Sequence, residues 1–241
     1  MIALSSIEIA NQPIAPPWEI GGAKGKESTL DTPYCISSTQ RLQAKDTVFF
    51  EGDPATHLYE VIEGVLKLYK LTPDGRRQIT GFLYPGQLLG LNVGESFAYG
   101  AEAITKTVLC RYPRKKLEEA LDAHPALARR FLRATVHELA VAQDQMLLLG
   151  QKSAIEKTAS FLLRLSDQNR ERGDDPELLY LPMTRTDIGD YLGMTTETVS
   201  RTMTRLKTAG IIRLQQQGRV NLTDIEQLMD LAEGDDSDFA V

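Results

Sequence analysis

Residues 183–201 read MTRTDIGDYLGMTTETVSR, and this stretch decides the architecture. Arg185 to Leu192 has the spacing of a short helix and Gly193-Met194 that of a tight turn, while Thr196 to Ala209 reads as a second helix closed by Gly210. Two helices joined by a short glycine-containing turn make a helix-turn-helix. On the second helix Glu197, Ser200 and Arg201 stand at i, i+3 and i+4, so they share one face near its N-terminal end. Val199, Met203 and Leu206 fall opposite, with the spacing of a face packed onto the first helix. The DNA major groove admits a helix whose first turns meet base edges. An arginine there donates two hydrogen bonds to guanine O6 and N7, and a glutamate accepts from cytosine N4. Taken alone, Glu197 and Arg201 also fit an exposed ion pair. The turn glycine, the hydrophobic register and the segment that follows favour base readout.

Beyond Gly210, Ile211 to Leu214 and Arg219 to Leu222 flank the polar stretch Gln215 to Gly218, the pattern of a hairpin wing. Upstream, Pro125 opens a run with no internal Pro or Gly before Gly150. Leu132, Leu139 and Met146 recur every seven residues there, and Ala128, Thr135, Ala142 and Leu149 form a second row offset by three. This is a heptad seam with small residues in one row. The stripe fits packing on the chain's own barrel as well as on a second copy. A helix of about 37 Å exceeds what one barrel face needs, so the expected dimer contacts are Leu132, Leu139, Ala142, Met146 and Leu149. From Ser153 another helical pattern carries Ile155, Ala159, Leu162, Leu163 and Leu165 as far as the polar residues 169–176.

Between about residues 40 and 112, turn signals recur at Gly52-Asp53-Pro54, Glu63-Gly64, Pro73-Asp74-Gly75 and Pro85-Gly86. Short strands are expected between them at Val48 to Phe50, Leu58 to Ile62, Val65 to Leu71, Ile79 to Leu83 and Ala103 to Leu109. Their spacing marks a small barrel or jelly roll. The chain therefore divides into a mobile leader (1–30), a β-roll (31–121), a dimerisation helix (122–150), a winged helix-turn-helix (151–228) and an acidic tail (229–241). The fold class is α+β.

The 241 residues are enough for large buried cores, and they contain no apolar run long enough for a membrane span and no secretory signal, so a cytoplasmic protein is expected. The net charge of -6 argues against nucleic acid until it is divided along the chain. Residues 181–221 hold six bases against Asp187, Asp190 and Glu197, whereas 222–241 hold seven acids and no base. A basic island stands beside an acidic end.

The 183–201 string resembles the helix-turn-helix of the Crp/Fnr superfamily of bacterial transcription regulators. Its Glu197 to Arg201 core, Glu-Thr-Val-Ser-Arg, resembles the branch of the fumarate-nitrate and FixK nitrogen-fixation regulators. Gln78 to Phe82, Pro85-Gly86, Met146 to Leu149 and Thr158 to Phe161 are similar to the same branch, so the resemblance spans about residues 40–228. It implies a cyclic-nucleotide-binding-like roll, and a homodimer on double-stranded DNA reading an inverted repeat of TTGAT and ATCAA half-sites. Arg201 would contact guanine, with Glu197 and Ser200 completing the readout. Arg185, Thr195, Thr196, Arg205, Lys207 and Arg219 would meet the DNA backbone. Activators of this superfamily touch RNA polymerase through barrel loops, which places Asp74, Arg76 and Arg77 as candidate contacts. An ordinary hairpin tip fits those three residues as well.

Family members differ in what the roll detects. The oxygen-sensing branch holds an iron-sulfur cluster through three N-terminal cysteines and a fourth that Cys110 matches, but Cys35 stands alone in place of the three. The nucleotide branch uses a Gly-Glu pair and a following arginine. Here Leu91 follows Gly90, and Phe97 to Gly100 after Gly94-Glu95-Ser96 offer no arginine for a phosphate. His57, His124 and His137 are scattered singly, without metal-ligand spacing. Ala142 occupies a position where the oxygen-regulated branch tends to place an acid, and Thr184 one where some FixK relatives carry a reactive cysteine. The expectation is a FixK-like regulator with no cofactor and no enzymatic activity, binding DNA without a bound effector. The rival is a Crp-like regulator that requires a small-molecule or redox effector in the roll.

Overall fold

The computed structural model describes residues 37–91 and 94–234; the leader expected at 1–30, Cys35 and the last seven residues lie outside them. Two four-stranded sheets form the roll. One has the order β1 (Ser38–Leu42), β8 (Thr107–Pro113), β3 (His57–Glu63), β6 (Leu88–Leu89). The other runs β2 (Thr47–Phe49), β7 (Gly100–Ala103), β4 (Leu66–Leu71), β5 (Arg77–Leu83), and all pairings are antiparallel. Val61, Leu66, Leu83, Ala101 and Leu109 meet between the sheets, together with Phe49, Tyr59 and Phe97. Strand β3 is buried on both sides. Leu58 joins Tyr112, Leu117 and Leu127 on the outer face, and Glu60 accepts a hydrogen bond from the Tyr112 hydroxyl at 3.1 Å. Burial on both faces explains why residues 58–62 read as a nearly continuous apolar run instead of an alternating one.

The strand expected from Ala103 to Leu109 is two strands. β7 ends at Ala103 in one sheet and β8 begins at Thr107 in the other. The corner is tied to Val65, whose carbonyl accepts from the Ile104 amide while its own amide donates to Thr105 Oγ1. The polar run Thr105-Lys106-Thr107 lies at this corner, a turn signal that the sequence reading passed over because it contains no Gly or Pro.

Helices α1 (Arg114–Ala123), α2 (Pro125–Gln151) and α3 (Ala154–Arg172) follow, with Pro125 in the first turn of α2. Ser153 caps α3 by accepting from the Glu156 amide. β9 (Leu178–Tyr180), α4 (Arg185–Leu192), α5 (Thr196–Thr208), β10 (Ile212–Leu214) and β11 (Arg219–Leu222) make the head, its small sheet ordered β10-β11-β9. The hairpin read as a wing is present, and β9 adds a strand that the sequence reading lacked. The acidic tail expected from residue 229 is corrected in its first part: α6 (Ile225–Glu233) covers it. Leu228, Leu231 and Ala232 are buried in the head's core, while Glu226, Asp230 and Glu233 are exposed. Counting charge hid the helical spacing of those apolar residues.

Roll and head are not separate bodies. Val65, Ile79, Phe82 and Tyr84 of the roll belong to the same hydrophobic core as Phe161, Ile188, Tyr191, Leu192, Val199 and Met203. At its centre the rings of Phe82, Phe161 and Tyr191 lie 5.2 to 6.1 Å apart. Removing one such ring leaves a cavity between the two parts. Phe82→Ala is expected to lower stability by about 3–5 kcal/mol in urea unfolding, with roll and head still melting in one transition.

Candidate nucleic-acid interface

The reading head is built from local signals. Thr184 caps α4, accepting from the Asp187 amide, and the Asp187 carboxylate accepts in return from the Thr184 amide and hydroxyl. Gly193 ends α4 at φ 64°. Gly189 lets the turn close: a Cβ there would lie 2.6 Å from the Met194 carbonyl oxygen. Thr195 caps α5 by accepting from the Thr198 amide. Along α5, Val199, Thr202, Met203 and Leu206 are buried, while Glu197, Ser200, Arg201, Thr204, Arg205 and Lys207 are exposed. The three residues expected to read bases thus share an open face on the first two turns.

Glu197 is held below the usual carboxylate range by its own backbone amide, then by the Thr195 hydroxyl and the nearby Arg201 charge. It is an ionised acceptor at neutral pH, as the positive end of a helix favours. Of the expected backbone contacts, Thr195, Arg205, Lys207 and Arg219 are exposed. Thr196 and Arg185 are half-buried, and burial pulls the Arg185 guanidinium downward from its ordinary value. Arg213 on the wing is also exposed and completes the basic set.

The two other acids of the basic island face away from α5. Asp187 lies 3.1 Å from Lys67 Nζ and 3.0 Å from Arg77 Nη2, and Asp190 lies 2.8 Å from the same Arg77 nitrogen. Lys67 is itself buried and also pairs with Glu102 at 2.9 Å. With Asp187 and Asp190 paired to the roll, Glu197 is the one acid of residues 181–221 left facing their six bases. Arg77 is accordingly corrected: it is not an open hairpin-tip residue but reaches across to α4. Asp74 and Arg76 stay at the exposed tip, paired at 2.7 Å. Sequence reasoning found neither the acids' partners nor Lys67. No local signal exists for pairs 110 and 120 residues apart.

The neighbours of α4 extend this contact. The Gln78 side chain donates to the Asp190 carbonyl, Gln145 of α2 donates to the Tyr191 carbonyl at 3.0 Å, and Arg164 donates to the Tyr191 hydroxyl at 2.7 Å. On α2, Leu132, Leu139 and Met146 are 62, 59 and 66 % exposed, and Ala142 is exposed beside them. Val136 and Leu147 are exposed as well, two apolar residues that the heptad reading omitted. Leu149 departs from the expected seam. It packs half-buried on the head's core, with a methyl 3.3 Å from where a Cβ at Gly193 would be.

Inside the roll, Phe49 and Phe97 stack with centroids 3.6 Å apart, and Tyr59 and Tyr99 flank them. The Tyr99 hydroxyl accepts from the Gly90 amide at 3.0 Å. Cys110 is half-buried and unbridged. Among the described residues no group of three or more His, Cys, Asp or Glu could hold a metal, and no helix is long and apolar enough to cross a membrane.

Burial acts to raise the Asp187 pKa, but hydrogen bonds from Thr184 and Lys67 and the Lys67 charge outweigh it, so the group sits below the ordinary carboxylate value. A lowered carboxylate contributes stability that is fully present above its unfolded value, about 3.9, and is lost as pH falls through the folded value. Asp187→Asn should therefore flatten the acid limb of the stability profile below about pH 4 and leave its shape above unchanged. Thermal unfolding across the acid range measures this.

The Crp-like helix-turn-helix domain family matches residues 156–231, and the cyclic nucleotide-binding domain family matches residues 39–124. The chain is 42% identical to the nitrogen fixation regulation protein FixK of Bradyrhizobium diazoefficiens over 78% of each chain. It is 38% identical to the transcriptional activator protein FnrL of Cereibacter sphaeroides over 90% of this chain and 88% of that one. The solved structure of FixK2 from Bradyrhizobium japonicum superposes with a TM-score of 0.76 at 38% identity, covering 81% of this chain and 97% of the other. With an exposed reading helix, a basic head and a roll of this topology, the chain belongs to the Crp/Fnr family of DNA-binding transcription regulators.

Proposed function

We infer that the protein is a FixK-like activator that binds as a homodimer to a TTGAT/ATCAA palindrome without a bound effector, in the cytoplasm. It controls genes of microaerobic or anaerobic respiration or of nitrogen fixation. The observation that carries the reading is the open face of Glu197, Ser200 and Arg201 on the first two turns of α5, whose other side is anchored in the core. Arg201 donates to guanine O6 and N7, Glu197 accepts from cytosine N4, and Ser200 bonds a neighbouring base edge. Arg185, Thr195, Thr196, Arg205, Lys207 and Arg219 meet phosphates and set register and salt dependence.

Two copies meet along the apolar stripe of α2 at Leu132, Val136, Leu139, Ala142 and Met146, which water would otherwise face. The pair of heads then fits two successive major grooves of a palindrome. Effector independence is supported by the stacked Phe49 and Phe97 with Tyr59 and Tyr99, which occupy the roll's interior. Asp74 and Arg76 at the β4–β5 tip remain the candidate contact to RNA polymerase. The names of the relatives, a nitrogen fixation regulation protein and a transcriptional activator, support activation and control of nitrogen-fixation genes.

Fluorescence anisotropy in air, without ligand and at fixed salt, tests the reading on the palindromic duplex and on one with both G·C pairs replaced. Tight binding to the first alone is expected, and Arg201→Ala should weaken it by about 1–3 kcal/mol, roughly tenfold to hundredfold. Equal weak binding to both duplexes would instead favour the effector-requiring regulator. Leu139→Glu puts a charge in each copy's seam. It should yield a monomer by sedimentation at micromolar concentration and cost the palindrome at least about a hundredfold in affinity.

A further inference from the structure

Lys67, Arg77, Glu102, Asp187 and Asp190 form a charge cluster between the roll and the first helix of the head. None of these side chains touches the face that reads DNA. Lys67 and Asp187 are both buried, and Arg77 grips two carboxylates on successive turns of α4 with one guanidinium. The surrounding core of Phe82, Phe161 and Tyr191 is apolar, and apolar contact is non-directional. A two-armed arginine bond to carboxylates has fixed geometry. The core therefore holds the head against the roll, and the cluster selects the angle at which it is held.

We propose that Lys67 and Arg77 are positioning residues that set the spacing of half-sites the dimer accepts, by fixing each head's orientation relative to its own roll and α2. The inference rests on the dimeric reading above. When two heads bind one duplex, the second engages at an effective concentration set by how well the fixed separation matches the site. A rigid mount gives a high value at one spacing and a low value at others; a loose mount gives a moderate value at several. The cluster leaves local partners in place if the mount loosens. Lys67 keeps Glu102 and Asp187 keeps Thr184, so a roll-side substitution spares the cap of α4.

The test uses the full chain and three duplexes: the palindrome, the palindrome with one base pair inserted between half-sites, and the palindrome with its G·C pairs replaced. The wild-type protein is expected to lose about a hundredfold in affinity on insertion. Arg77→Ala and Lys67→Met are each expected to bind the uninserted palindrome about tenfold more weakly and to lose only about threefold more on insertion. Arg77 is partly exposed, so its variant is expected to fold, and thermal unfolding of both variants checks this. Variants that weaken on both duplexes in the wild-type ratio would show a merely structural cluster and overturn the proposal. So would variants unchanged on either duplex, or a wild-type protein indifferent to the insertion. A wild-type protein indifferent to the G·C pairs overturns the functional reading itself, an outcome the third duplex keeps separate.

Discussion

The burial of the Lys67 ammonium is the constraint around which the molecule is arranged. A buried ammonium must be paired and hydrogen-bonded or it destabilises the fold by several kcal/mol. Glu102 of the roll supplies one carboxylate and Asp187 of the head the other. The second partner is present only when the head is docked. The same Asp187 carboxylate completes the capping box of α4, so helix initiation, domain docking and charge satisfaction meet on one residue. Around it, Gln78, Gln145 and Arg164 satisfy backbone and side-chain groups of Asp190 and Tyr191, so little of α4 facing the body lacks a polar or aromatic partner.

This docking also resolves a conflict in the charges. The whole chain is acidic, yet DNA demands a positive face. Asp187 and Asp190 are spent on the roll's own cations, and the acids of α6 lie on its exposed side away from the core it shares with α3. Glu197, the remaining acid of residues 181–221, stands where the N-terminal end of α5 stabilises its charge. Net charge was the wrong scale for this protein because its charges are sorted by face.

The roll illustrates how one topology serves different ends. A cyclic nucleotide-binding domain match and a nucleotide-binding interior are separate properties. Here Phe49, Tyr59 and Phe97 belong to the core between the sheets with Tyr99 packed against it, and the Tyr99 hydroxyl accepts from the Gly90 amide. On the outer side α2 divides its surface: Leu127, Gln145 and Leu148 face the chain's own body, while Leu132, Leu139 and Met146 face outward. The helix is long because it does both.

The helix-turn-helix, its wing, the start of α2 at Pro125 and the outward heptad row were legible in the sequence, because each is written in contacts a few residues apart. Caps, turn glycines and the i, i+3, i+4 spacing are such signals. The roll's class was legible from turn spacing. Its corner at residues 104–106 was passed over, since Thr105-Lys106 turns the chain without the Gly or Pro that marks the other turns. The inward turn of Leu149, the helical run of α6 within acidic residues, and the capture of Arg77 by Asp187 and Asp190 were decided only by the tertiary structure. In each case the deciding partner lies on another element, up to 120 residues away, and a periodicity states that a side chain is apolar or charged without stating which neighbour will satisfy it.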